Sequence, residues 1–181
     1  MKIRVLYLVL VSLLVIPSLV VAQKSPPGLD PSPADIAYMR VGGRNGEAVV
    51  RVIYGRPQKK GRTMLGSTEP YGKVWRLGAN EATEIKVYKD MTFGDKLIKA
   101  GTYTLYAIPD KSEWTIIFNT KLDTWGAYSY EESKDVARIK VAAGTGTSDV
   151  EAFTIWFDDE IENKSMNIAW EKTLVKVPVK I

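Results

Sequence analysis

The chain has 181 residues, of which 45% are hydrophobic, and a formal net charge of +4 from 25 Lys and Arg against 21 Asp and Glu. It contains no cysteine and no histidine, which excludes disulfide bonds, Ser-His-Asp and Cys-His nucleophiles, and the usual ligand sets for zinc, copper and haem. Lys2 and Arg4 supply part of the positive charge, so the remaining excess is too small to predict a nucleic-acid partner.

The N-terminus has the pattern of a secretory signal peptide. Lys2 and Arg4 precede an apolar run from Val5 to Val15, Pro17 interrupts the run, and the small residue Ala22 ends it. The pattern predicts a signal peptide over residues 1–22 and a periplasmic or extracellular mature protein without a membrane span. A retained membrane anchor is the alternative, because the apolar stretch nearly reaches the length of a membrane-spanning helix.

The rest of the chain is predicted to be a linker followed by one β domain. Residues 23–33 hold four of the nine prolines and little apolar bulk, which predicts an extended linker. In residues 34–181, short strands and polar turns predict an all-β domain, an antiparallel β-sandwich of jelly-roll type with long loops. Apolar and polar residues alternate over 48–54, 84–88, 102–108, 114–119, 136–141, 152–157, 166–170 and 173–181.

The same pattern indicates turns, a candidate helix and a core. Turn-forming residues at 94–96 and 109–113 predict two hairpins. Over 130–136 a short helix is an alternative to irregular structure, since Ser129 and Glu132 have the spacing of a capping box. The residues predicted to form the core are Tyr103, Leu105, Ala107, Trp114, Ile116, Phe118, Phe153, Ile155 and Phe157.

The alternation fails from Gly61 to Thr83, which predicts a glycine-rich loop that carries function. Its side chains offer hydrogen-bond donors, acceptors and flat aromatic faces to a polar ligand. The candidate binding residues are Arg62, Tyr71, Trp75, Arg76, Asn80 and Glu81, joined by Trp125 from a second aromatic segment. The structural alternative is a buried Arg76–Glu81 pair that pins the loop, with both tryptophans filling space beneath loops.

Two further segments imitate ligand sites. Residues 55–63 differ from a phosphate-binding P-loop in spacing and in having arginine for lysine, and Pro57 lacks an amide donor, which favours a basic surface loop. Residues 158–163 hold four carboxylates without the glycine of an EF-hand loop, so an acidic hairpin tip is favoured over Ca²⁺ binding. We therefore predict no metal and no cofactor.

The sequence PYGKVWRLGANEAT, residues 70–83, resembles the signature of the bacterial family called domain of unknown function 2911. The segments 61–63, 101–105, 108–109, 114–119, 125–130, 135–136 and 170–173 resemble the same family in order. The resemblance extends from about residue 32 to residue 181. It implies a predominantly secreted bacterial protein and carries no activity and no catalytic residue with it.

Three hypotheses on function follow. The leading one is a secreted β-sandwich that binds a polar ligand, either carbohydrate or another envelope component, without catalysis, with Trp75 stacking on the ligand. The second is a glycan hydrolase with Glu81 as acid or base beside Glu69 or Glu84, since such chemistry needs two carboxyl groups and no histidine. The third is a structural or interaction module of the cell envelope that uses an exposed strand edge.

Overall fold

The computed structural model describes residues 25–158 and 164–181. The predicted signal peptide and all but the first residue of the acidic segment 158–163 lie outside these ranges. In the described ranges, no helix is long and apolar enough to cross a bilayer.

The described residues form one open, antiparallel sheet of nine strands, which confirms the predicted all-β class. The strands are β1 (Ala34–Val41), β2 (Glu47–Gly55), β3 (Thr83–Val87), β4 (Met91–Phe93), β5 (Lys96–Ile98), β6 (Gly101–Ile108), β7 (Glu113–Asn119), β8 (Asp135–Asp158) and β9 (Ser165–Lys180). Their order across the sheet is β1-β2-β3-β6-β7-β8-β9-β4-β5.

The long strand β8 turns this one sheet into two packed layers. Its first third, up to Ala142, pairs with β7 and the remainder, from Ala143, pairs with β9, and the register is irregular around Val150. Such irregularities bend a strand. As a result the second half of β8 lies across from β2, where the rings of Tyr54 and Phe153 meet edge to face at 5.7 Å.

Several strand boundaries differ from the prediction. The predicted strands 136–141 and 152–157 are both parts of β8, and 166–170 and 173–181 are both parts of β9. β1 was not predicted as a strand. Both predicted hairpins are present, as β4–β5 and β6–β7.

Of the helix that was one of two alternatives for 130–136, the structure has only one 3₁₀ turn, Glu132–Lys134. The predicted capping box was wrong, because Glu131 is the N-terminal cap residue and no side chain caps the turn. Asp135 takes an extended conformation directly after the turn and begins β8. A single turn is too short to gain from helical cooperativity, so the adjacent sheet determines the conformation of this segment.

The core lies between the two layers. Eight of the nine predicted core residues are buried, and the ninth, Phe157, is partly buried and packs against the others. Four aromatic rings form the centre: Trp75, Trp114, Phe153 and Trp170. Burying a large apolar side chain stabilises a fold by roughly 1.5–3 kcal/mol, so this cluster stabilises the domain without any disulfide.

Candidate functional site

The loop between β2 and β3 is anchored where β2 ends. The amide of Ala79 donates to the carbonyl oxygen of Gly55 at 3.3 Å, and a Cβ atom at Gly55 would collide with the carbonyl oxygen of Ala79. A Cβ atom at Gly78 would lie 2.8 Å from the carbonyl oxygen of Gly55. The two backbones therefore touch directly, which requires glycine at both positions.

Trp75 fixes the middle of this loop in the core. It exchanges two backbone hydrogen bonds with Ala107 of β6, at 2.7 and 2.9 Å, and its Nε1 donates to the carbonyl oxygen of Gly78 at 3.1 Å. Its side chain is only 4% exposed and its ring stacks on Trp170. This tryptophan thus has little surface left for a ligand. It fills space beneath the loop, which is the structural alternative to ligand binding.

Arg76, the next residue, directs its side chain away from the core toward two exposed aromatic rings. Its Nε donates to the carbonyl oxygen of Gly78 at 3.2 Å, and its guanidinium carbon lies 5.5 Å from the centre of the Trp125 ring. Trp125 stacks on Tyr128 with ring centres 5.8 Å apart and planes 10° apart. Trp125 is 58% exposed and Tyr128 is 83% exposed, so both rings are at the surface.

Backbone contacts hold this aromatic segment beside the loop. The amide of Gly126 donates to the carbonyl oxygen of Asn80 at 2.9 Å, and the amide of Ala82 donates to that of Thr124 at 2.9 Å. Gly126 has a positive φ of 66°, and a Cβ atom there would lie 2.7 Å from the Tyr128 ring and 3.2 Å from Arg76 Nη1. Glycine at this position lets the arginine and the tyrosine approach the same stretch of backbone.

A cavity of about 390 Å³ opens beside these residues. We call it the aromatic cavity; its walls are Thr68, Glu69, Val74, Trp75, Arg76, Ala127 and Tyr128. Burial raises the pKa of Glu69 to about 7, and the positive charge of Arg76 opposes this rise only in part. The cavity therefore combines a permanent cation with a carboxyl group that titrates near neutral pH.

Of the cavity residues that the sequence prediction missed, two have an aromatic or ionisable side chain. Tyr128 was not among the candidates, although it belongs to the ring-rich segment that pointed to Trp125. Glu69 was considered only as a partner for Glu81. Its burial depends on residues distant in sequence, so no local pattern indicates it.

The remaining candidates lie elsewhere. Arg62 lines a separate cavity of about 380 Å³ and donates to the carbonyl oxygens of Lys59 and Gln58, both at 2.9 Å. Tyr71 is half-buried and packs over Gly66 and against the core. The structure therefore does not bring Arg62 or Tyr71 together with Arg76 and Trp125.

Asn80 and Glu81 line a third cavity, of about 230 Å³. Asn80 has a positive φ of 62°, and its side-chain amide donates to Asp30 Oδ1 at 3.1 Å. Glu81 is exposed and forms no ion pair with Arg76, so the alternative of a buried Arg76–Glu81 pair is wrong. Backbone hydrogen bonds with Gly55, Gly126 and Thr124 hold the loop in its place.

The segment that imitates a P-loop is part of the sheet architecture. Gln58 forms a bridge with Ala152, and the amide of Phe153 donates to the carbonyl oxygen of Pro57 at 2.8 Å. Lys59 forms an ion pair with Asp149, and this hydrogen bond raises the lysine pKa. Arg56 forms a second ion pair, with Asp35 at 2.9 Å. The backbone and two cations of this segment are therefore engaged in contacts within the protein.

Within the described residues, no group of three or more acidic side chains is placed to hold a metal ion. Most of the acidic segment considered for Ca²⁺ lies outside those residues.

Comparison with known proteins gives one match. A family model described as "Protein of unknown function (DUF2911)" matches residues 32–179, which confirms the resemblance seen in the sequence motifs. No curated protein and no solved structure matches the chain.

Proposed function

The chain belongs to the DUF2911 family, whose description assigns no activity. We propose that it is a secreted protein that binds carbohydrate at the aromatic cavity. The observation that carries this proposal is the stacked and exposed pair of rings, Trp125 and Tyr128. Exposure of large aromatic side chains to water is unfavourable, and exposed apolar patches mark sites of interaction. The apolar face of a sugar ring packs well on an aromatic ring.

The rest of the cavity supplies the polar contacts that a sugar needs. Arg76 offers donors and Glu69 offers a carboxyl group, while Val74 and Ala127 contribute apolar surface. The volume of about 390 Å³ is within the range of small-molecule sites. The location is supported by the signal-peptide pattern over residues 1–22, because envelope and extracellular glycans are present outside the cytoplasm.

Two-carboxylate hydrolysis is less well supported than binding. Among the described residues, Glu69 is the one carboxylic acid that lines the aromatic cavity. Glu81, Glu84 and Asp123 line a different cavity, where Glu84 is held in an ion pair with Arg51 at 3.0 Å. Both glycosidase mechanisms need two carboxyl groups at one glycosidic bond.

A glycan array followed by calorimetry on the purified protein tests the proposal. We expect retention of at least one class of glycan, and a loss of affinity of roughly tenfold or more in both Trp125→Ala and Tyr128→Ala. Tyr88→Ala is the matched control, because Tyr88 is also exposed and also has a cation over its ring, but it neither lines the cavity, as Tyr128 does, nor stacks on a residue that lines it, as Trp125 does. An array without any retained glycan, or equal losses in the control, would overturn the proposal.

A further inference from the structure

We propose that the saccharide bound at the aromatic cavity carries a carboxylate, and that Arg76 recognises this carboxylate through Nη1 and Nη2. The inference rests on the proposed function and specifies its ligand as an acidic sugar of the uronic acid class. It follows from the hydrogen bond that holds Arg76 Nε, from the unpaired Nη1 and Nη2 atoms, and from Glu69 in the same cavity.

Arg76 is held by one edge. Its Nε donates to the carbonyl oxygen of Gly78, and that oxygen also accepts from Trp75 Nε1 in the core. Arg76 therefore shares its anchor with the buried part of the loop. Because the guanidinium group is planar, fixing Nε restricts the directions in which its other nitrogens can point.

The other two nitrogens of Arg76 are unpaired within residues 25–158 and 164–181. No ion pair and no hydrogen bond involves Arg76 Nη1 or Nη2 there. By contrast, Arg51, Arg56 and Arg138 each pair with an Asp or Glu side chain at 3.2 Å or less. An arginine that lines a polar cavity and whose terminal nitrogens have no carboxylate partner among the described residues is suited to receive one from a ligand.

Glu69 lines the same cavity but is not the carboxylate partner of Arg76. It forms no ion pair with Arg76, and burial disfavours its charged form. When neutral, its carboxyl group is a hydrogen-bond donor, so it adds to the binding of an anionic group and does not repel it. Below a pH of about 7 the cavity thus presents a cation and a neutral donor to the ligand.

The neighbouring rings agree with a sugar acid as the occupant. Trp125 and Tyr128 lie beside the guanidinium group and provide flat surfaces for a pyranose ring. In a uronic acid the carboxylate is attached directly to that ring. One ligand can therefore stack on an aromatic ring and place two carboxylate oxygens against the arginine fork.

Calorimetry with matched ligands tests this inference. We use uronic acid oligosaccharides, the same oligosaccharides with their carboxylates methyl-esterified, and sulfated neutral oligosaccharides. We expect the free acids to bind about tenfold or more tightly than their methyl esters, since a charge-assisted bidentate contact is lost on esterification. Arg76→Gln should remove this preference, and Arg76→Lys should keep only part of it because lysine lacks the planar fork.

The outcomes separate the two proposals. Equal affinity for acids and esters, or a preference that persists in Arg76→Gln, overturns the carboxylate and leaves carbohydrate binding standing. Tighter binding of the sulfated ligands assigns the arginine to sulfate and overturns the carboxylate as well. If no saccharide binds, both proposals fail. Circular dichroism and thermal unfolding of each variant separate loss of recognition from loss of folding.

Discussion

The indole rings of Trp75 and Trp170 stack in the core with centres 5.7 Å apart and planes 12° apart. This contact joins the middle of the loop between β2 and β3 to β9 in the opposite layer. Arg76, one residue further along, leaves the core and lies over the exposed Trp125 ring. Adjacent residues of one motif thus have different tasks: Trp75 anchors the loop, and Arg76 belongs to the candidate site.

Trp75→Ala should therefore destabilise the fold strongly. Removing a large aromatic side chain from a packed core costs about 3–5 kcal/mol, so we expect the free energy of unfolding in urea to fall by that amount. Trp125→Ala removes an indole that is 58% exposed and should change the free energy of unfolding by less than about 1 kcal/mol. Equal denaturation midpoints for the two variants would contradict the division of tasks.

The sequence predicted the strands better than the site. Alternation identified most strands and eight of the nine core residues because each face of a strand is defined locally. In β8 the pairing around Val150 is irregular, so the alternation breaks and one strand was predicted as two. β1 was overlooked, although its inward residues Ala37 and Met39 alternate with exposed ones.

The site was harder to predict because contacts distant in sequence create it. The bond from Gly126 to Asn80 brings the ring-rich segment next to the loop, and no pattern within either segment encodes that pairing. In a stretch without periodicity, the sequence also could not decide which tryptophan faces inward. Ligand contact and packing beneath loops are both compatible with the sequence for Trp75 and Trp125, and the structure places Trp75 in the core and Trp125 at the surface.

Glu69 should make the stability of the protein depend on pH. Burial raises its pKa to about 7 from an ordinary value of 4.5, so the folded state holds a proton that the unfolded chain releases. Its contribution is complete below pH 4.5 and is lost as the pH rises through 7. Glu69→Gln stays neutral, so the variant should gain stability relative to the wild type between pH 4.5 and 8.

Urea denaturation of both proteins at several pH values measures this effect. The contributions of all other titrating groups cancel in the difference between the two free energies of unfolding. We expect the difference in the free energy of unfolding to change by roughly 1–2 kcal/mol across this range, allowing for the partial exposure of the side chain. A difference that is constant with pH would show that Glu69 titrates at its ordinary value.

Glu171 should stabilise the start of the loop from the opposite layer. Its carboxylate accepts hydrogen bonds from the amides of Met64 at 2.9 Å and Leu65 at 3.1 Å, and both of these residues are buried. Glu171→Ala leaves two amides without their acceptor, which should lower the free energy of unfolding by about 1–3 kcal/mol. Lys172→Ala, at the exposed neighbouring position, is the control and should be nearly neutral.

Glu171→Gly provides a second comparison at that position. Glu171 has a positive φ of 54°, which costs a non-glycine residue about 1 kcal/mol. Glycine removes this strain along with the carboxylate, so the variant should be more stable than Glu171→Ala. Hydrogen exchange at the amides of Met64 and Leu65 should accelerate in both variants. Unchanged exchange would mean that the carboxylate does not hold these amides.

Gly55→Ala tests whether the position of the loop depends on the close contact between two backbones. A Cβ atom at Gly55 would collide with the carbonyl oxygen of Ala79. Relieving the collision would require a shift of the end of β2 or of the buried backbone at Ala79, and either shift costs free energy. We expect a loss of at least about 2 kcal/mol in the free energy of unfolding, as for other overpacked sites. The displaced segment lies next to Asn80, whose carbonyl oxygen holds Gly126, so glycan affinity should fall as well. Gly144→Ala is the matched control, because its nearest contact for a Cβ atom is an ordinary 3.6 Å, and it should preserve both stability and binding.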